Sequence, residues 1–188
     1  MVDQFRDGFD KLIQLNPSTV QYFRNNALVT ETVRLSHESS SVPANKPTPV
    51  GLDTNFSMFA ELYHDSGIAE NDVLIDGVQG WKVGTVDSVK FAGEVYGKHA
   101  PLTKLSSLGT TKAITSFKIG LVSGVIVGTN ITVTLPAGTD VSALNAVIVY
   151  NGKMIMPTGS QDFTEPVTYT VTAENLSTQN YIVTVVLA

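Results

Sequence analysis

With 188 residues, 43% of them apolar and 15% charged, the chain is long enough for one large domain or two small ones and too apolar for a disordered one. The formal net charge of −5 argues against a broad phosphate-neutralising surface, leaving nucleic acid at most a local contact. The absence of cysteine excludes disulfides, cysteine-based zinc sites, iron–sulfur clusters and a cysteine nucleophile.

Acidic Asp3 and Asp7 stand where a secretion signal needs basic residues, and the most apolar stretch, 119–127, is cut by Gly120, Ser123 and Gly124. That stretch is far shorter than the ~20 residues of a membrane span, so a soluble protein with no membrane partner is expected. The sequons at Asn55, Asn130 and Asn175 are then chance matches. Charge divides the chain: residues 1–110 hold 9 Lys/Arg and 13 Asp/Glu, residues 111–188 only 3 and 4. The break predicts residues 1–105 as one domain, 106–112 as a linker of small polar residues, and 113–188 as a second domain.

In the first part, Val2, Phe5, Phe9, Leu12 and Ile13 share one helical face, and the helix should stop at Asn16-Pro17 because a residue before proline is pushed out of the α region. Residues 20–24 and 28–35 alternate like strands around Asn25-Asn26, a pair that tolerates left-handed backbone, and so predict a hairpin. A strand follows at 58–63. Residues 73–75, Asp76-Gly77 and 81–89 predict a second hairpin. In its last strand Trp81, Val83, Thr85, Asp87 and Val89 face one way, Lys82, Gly84, Val86 and Ser88 the other. Neither face is purely polar, which favours a small closed barrel over an open sheet.

Between the strands, residues 37–55 carry three consecutive serines and Pro43, Pro47 and Pro49 without periodicity. Loops of that length are either functional or disordered, and both readings stand. On the functional one, Pro43, Asn45, Lys46, Pro47, Thr48 and Pro49 form a pre-extended partner-binding segment.

From residue 114 onward short Val/Ile/Thr-rich strands at 114–119, 125–127, 131–135, 146–150, 169–173 and 181–187 alternate with turns. This is the pattern of an all-β sandwich of about 75 residues. Its expected core is Phe117, Ile119, Ile131, Val133, Leu135, Val147, Val149, Tyr169, Val171, Tyr181, Val183 and Val185. The fold class is therefore mainly β: a helix plus a small barrel, then a sandwich.

Chemistry is sparse. His37, His64 and His99 are too far apart to form a local metal pair. Ser36-His37-Glu38 holds triad residue types side by side, which is not a triad in space. Residues 65–76 have the length of a calcium loop, but Gly67 and Glu70 stand where an oxygen ligand and a glycine are required. Residues 124–129 lack the lysine of a phosphate-binding loop. No catalytic residue, metal site or cofactor is expected, and the protein is not expected to be an enzyme.

The hairpin 20–35, the loop after it, the strand 58–63 and the segment Glu70-Asn71-Asp72-Val73-Leu74-Ile75-Asp76-Gly77 leading into Trp81-Lys82-Val83-Gly84-Thr85-Val86-Asp87 resemble the head-closure, stopper and head-completion proteins of tailed bacteriophages. Residues 113–188, through Ile131-Thr132-Val133-Thr134-Leu135 and Val167-Thr168-Tyr169-Thr170-Val171, resemble the immunoglobulin-like modules appended to bacterial and phage surface and virion proteins. Together these resemblances imply a structural virion protein of the head–tail neck, assembled in the host cytoplasm. The barrel would join a homo-oligomeric ring between portal or adaptor and tail proteins, near packaged DNA without reading its sequence, and the sandwich would decorate the outside. The alternative is an adhesion module whose sandwich binds a host glycan or protein while the barrel anchors it; a hydrolase is a distant third.

Overall fold

The computed structural model describes residues 2–39, 56–91 and 93–188. The fold is mainly β and divides into two compact units, Met1–Arg24 with Leu28–Ser107, and Leu108–Ala188 with Asn25–Ala27. The partner-binding segment expected at Pro43, Asn45, Lys46, Pro47, Thr48 and Pro49 lies outside the described residues.

The first unit opens with α1 (Val2–Leu15), which ends just before Asn16-Pro17 as the sequence requires. Strands β1 (Ser18–Arg24) and β2 (Ala27–Ser39) flank Asn25 and Asn26, at φ 51° and 58°; two successive positive φ values define the turn that matches the twist of paired strands. The unit continues with β3 (Phe56–Leu62), β4 (Val73–Asp76), β5 (Gln79–Val83), β6 (Asp87–Phe91) and β7 (Glu94–Lys104). The sheet order β3-β2-β1-β4-β5-β7-β6, with β3 also paired to β7, closes a six-stranded barrel and leaves β6 as a flap on β7.

The single strand expected over 81–89 is two strands. At the break, Gly84 N–H donates to the Pro101 carbonyl at 2.8 Å, and a Cβ on Gly84 would stand 2.8 Å from the Pro101 ring. Proline has no N–H to return, so the ladder cannot run through this point. The barrel is filled by Val20, Tyr22, Val33, Ala60, Leu62, Ile68, Leu74, Val83, Ala100 and Leu102. Helix α1 packs on β7, with Ile13 fully buried and the Phe9 ring edge-on to Tyr96 at 6.1 Å. Gly97 is buried against that ring, where even a methyl group would collide with Phe9.

The second unit comprises β8 (Ala113–Ile119), β9 (Val122–Ser123), β10 (Val125–Val127), β11 (Asn130–Leu135), β12 (Leu144–Asn151), β13 (Met154–Met156), β14 (Ser160–Gln161), β15 (Val167–Thr172) and β16 (Thr178–Leu187). A sheet β10-β11-β16-β15-β13 faces a sheet β14-β12-β8-β9, and β16 runs parallel to β11. Phe117, Ile131, Val133, Tyr169, Val171 and Val183 form the core, joined by Ile114, Ile155 and Phe163, which periodicity did not single out. Val147 and Val149, expected inside, are 63% and 55% exposed, and Ala146, Ile148 and Tyr150 point inward instead. The cause is visible in Leu144–Asn151, which is apolar on both faces, so alternation alone cannot fix its phase.

Candidate functional site

Several polar side chains of the barrel are tied to one another or to its backbone. Arg24 pairs with Asp72, donates to the Gly67 carbonyl at 2.6 Å and lies over the Tyr22 ring at 5.3 Å. Asp72 also accepts the Ala69 N–H at 2.8 Å, and Lys98 donates to the Ser66 carbonyl at 2.6 Å. These bonds stitch down the segment between β3 and β4, where Asp72 is a structural anion and not a cation ligand. Arg34 and Glu61 meet at 2.9 Å across β2 and β3; Glu61 also accepts the Ser36 hydroxyl at 3.3 Å, so Ser36 is held by a carboxylate. His99 stacks on Phe59 with centroids 4.6 Å apart. Among the described residues no group of three or more His, Asp or Glu converges as a metal site.

In the sandwich, two turns have the same design. Asp140 accepts the N–H and hydroxyl of Ser142 at 3.0 and 2.7 Å, and Asp162 accepts those of Thr164 at 2.9 and 2.7 Å. The backbone N–H and then the hydroxyl hold each carboxyl below its ordinary range. Glu174 is pulled two ways: burial pushes its carboxyl up, but the Gly109 N–H at 2.8 Å and Lys153 at 3.1 Å outweigh it, and the net direction is down. A small cleft lined by Gly109, Thr111, Gly152, Lys153 and Glu174 is therefore already internally neutralised.

The second cavity is different in kind. About 190 Å³ opens between the sheets, walled by Ala146, Ile148 and Tyr150 of β12, Ile155 of β13, Pro157, Thr158 and Gly159 of the following turn, and Tyr169 of β15. No charged side chain lines it. Tyr169 is 1% exposed, its ring meets Phe117 edge-on at 5.5 Å, and its hydroxyl has no hydrogen-bond partner. Of the five aromatic side chains of the sandwich, Phe117, Phe163, Tyr169 and Tyr181 are buried, and Tyr150 at this cavity is the one that reaches the surface. The sequence marks Tyr150 only as a strand residue and Tyr169 as core; the cavity exists because β13 and its turn, which had no sequence signal, stand across from β12.

The sandwich matches the family model "SGBP, N-terminal" over residues 114–185. The matched span runs from β8 into β16 and includes every residue of the cavity wall. No curated protein matches the chain. One solved structure, a Bacteroides thetaiotaomicron protein described as a glycoside hydrolase, is 26% identical over 46% of this chain and 28% of its own length, with a TM-score of 0.40. The chain thus spans little more than a quarter of that protein.

The family match corrects the reading as a head-closure or stopper protein of a phage neck, and with it the virion location: the sandwich is similar to a module of surface glycan-binding proteins. The barrel motif misled for a physical reason. A strand, Asp76-Gly77 and an aromatic-led strand make a hairpin whose turn glycine sits at φ 60°, and any small barrel needs such a hairpin, whatever it binds. Ring, portal, tail and DNA contacts rested on that resemblance alone and are not carried forward.

Proposed function

We propose that this chain is a non-catalytic carbohydrate-binding protein of a bacterial cell surface, its sandwich engaging the glycan and its barrel serving as carrier. The observation that carries this reading is the match of residues 114–185 to the SGBP N-terminal model. The surface chemistry supports it. Across all nine strands of the sandwich Lys118 is the single charged side chain, and the outward positions mix hydroxyl and amide residues such as Thr115, Thr132, Thr134, Thr168 and Asn145 with exposed aliphatic ones such as Val125, Val147, Val149 and Ile182. Hydroxyl and amide groups with no net charge suit a neutral, polyhydroxylated ligand better than an anionic one.

Affinity electrophoresis of the whole chain in gels containing neutral polysaccharides tests the reading. Retardation by at least one of them is expected, unchanged between about 0.1 and 1 M salt because no ion pair is involved. A folded protein that migrates freely through every neutral gel overturns it, and retardation only in acidic polysaccharide at low salt overturns the neutral-ligand assignment.

A further inference from the structure

We infer that the cavity between β12, β13 and β15 is the sugar-binding subsite, taking one neutral pyranose ring or the end of a glycan chain, with the Tyr169 hydroxyl as its buried hydrogen-bonding group. This inference rests on the carbohydrate-binding reading above and names the place where it acts.

Three properties of the cavity lead there. Its volume of about 190 Å³ is below the ~300–1,000 Å³ of pockets for drug-sized ligands, yet equals several waters at ~30 Å³ each, so it suits a single small ring. Its walls combine aliphatic surface from Ala146, Ile148, Ile155 and Pro157 with the hydroxyls of Thr158 and Tyr169, and carry no charge; the Tyr150 hydroxyl already donates to Asn26 Oδ1 at 3.3 Å, which leaves its ring as its contribution to the wall. A pyranose has the complementary make-up: C–H faces and a rim of neutral hydroxyls.

The third property separates a site from a packing defect. A void lined only by hydrocarbon stays dry and binds apolar solutes. Here a phenol on the wall, 1% exposed, leaves its hydroxyl without a partner, the one buried side-chain polar atom so left among the described residues of the sandwich, whereas such groups are as a rule satisfied. Such a group is a stability cost that a ligand hydroxyl would relieve. Burial also raises the Tyr169 hydroxyl pKa, so it remains a neutral donor at all physiological pH values. Next to it, half-buried Tyr150 offers an aromatic wall on which the C–H face of a ring can rest.

The test titrates the whole chain with the methyl glycosides of glucose, xylose, mannose and galactose, following backbone amide shifts by NMR. It runs beside the polysaccharide gels on wild type, Tyr169→Phe and Ala146→Leu. At least one glycoside should shift amides at 146–150, 155–159 and 169. Tyr169→Phe should weaken that response about three- to tenfold, the worth of one neutral hydrogen bond, with a melting temperature equal to or above wild type because an unsatisfied hydroxyl has gone. Ala146→Leu, which fills the cavity, should abolish it. Gel retardation without shifts around the cavity, or with both variants binding like wild type, overturns the subsite and leaves the carbohydrate-binding reading standing. No shift with any glycoside and no retardation overturns both. A Tyr169→Phe variant that loses both binding and stability overturns the hydroxyl's role, and Ala146→Leu then decides the cavity.

Discussion

Tyr22 shows how a single hydroxyl can hold a barrel wall. It donates to Glu31 at 3.1 Å, while the other oxygen of Glu31 is buried with no partner. Burial first, then the charge of Glu31 and its hydrogen bond, pushes the Tyr22 hydroxyl up to about 12. The folded state therefore holds this proton more tightly than the unfolded chain does. The resulting stability is complete below the ordinary tyrosine value of 10.0 and is lost as pH rises through about 12. Tyr22→Phe should remove that alkaline slope and, by stripping Glu31 of its donor, lower stability at neutral pH by about 1–3 kcal/mol in urea unfolding. Asp140 and Asp162 have the opposite sign. Their depressed carboxyls favour the folded state above 3.8, and that contribution disappears as pH falls through their lower folded values. Ser142→Ala should move the NMR titration midpoint of Asp140 upward and leave that of Asp162 nearly in place.

The strands with clean alternation were legible in the sequence, and the ones built by their surroundings were not. β11, with burial alternating along Asn130–Leu135, and the Asn25-Asn26 hairpin follow directly from period and turn chemistry. β7 was not among the expected strands, and it contains Gly97 and Pro101, residue types that weaken a strand pattern; in the structure Gly97 makes room for Phe9, and Pro101 marks where β5 gives way to β6. Gly97→Ala should therefore lift α1 from the barrel and cost about 1–3 kcal/mol, and combining it with Phe9→Ala should cost less than the sum of the two. A non-additive cycle in thermal unfolding is the check. For β12 the test is one of phase: Val147→Thr should change stability by under about 0.5 kcal/mol, whereas Ile148→Ala should cost about 2 kcal/mol. The candidate subsite was illegible for the same reason as β13, since its walls come from strands far apart in sequence and from a short edge segment with no pattern of its own.

At the scale of the whole chain, the connection between the units is shorter than its composition suggests. Leu105 is held by Gly80 and Gln79, Gly109 by Glu174 and Asn175, and Lys112 donates to Ser177 at 2.8 Å. Among the bonds described, residues 106–108 and 110–111 carry no such tie, and 106–108 is the longest untied run. Limited proteolysis should cut there, and not across the whole of 106–112, to give two protected fragments. A single protected species of 20.1 kDa would count against separable units.

The position of β16 sets a condition on how the sandwich can be made. It is the strand that joins β10-β11 to β15-β13, and its parallel register sets Asn130 beside Ile182 and Leu135 beside Leu187. On the ribosome, β11 must wait for residues some fifty positions downstream before it gains its second neighbour, and a slow, long-range closure of this kind is expected to govern the folding rate. A message broken off before Thr178 would release a product with two open, uncharged, threonine- and valine-rich edges, which is the kind of surface that recruits other unfinished chains.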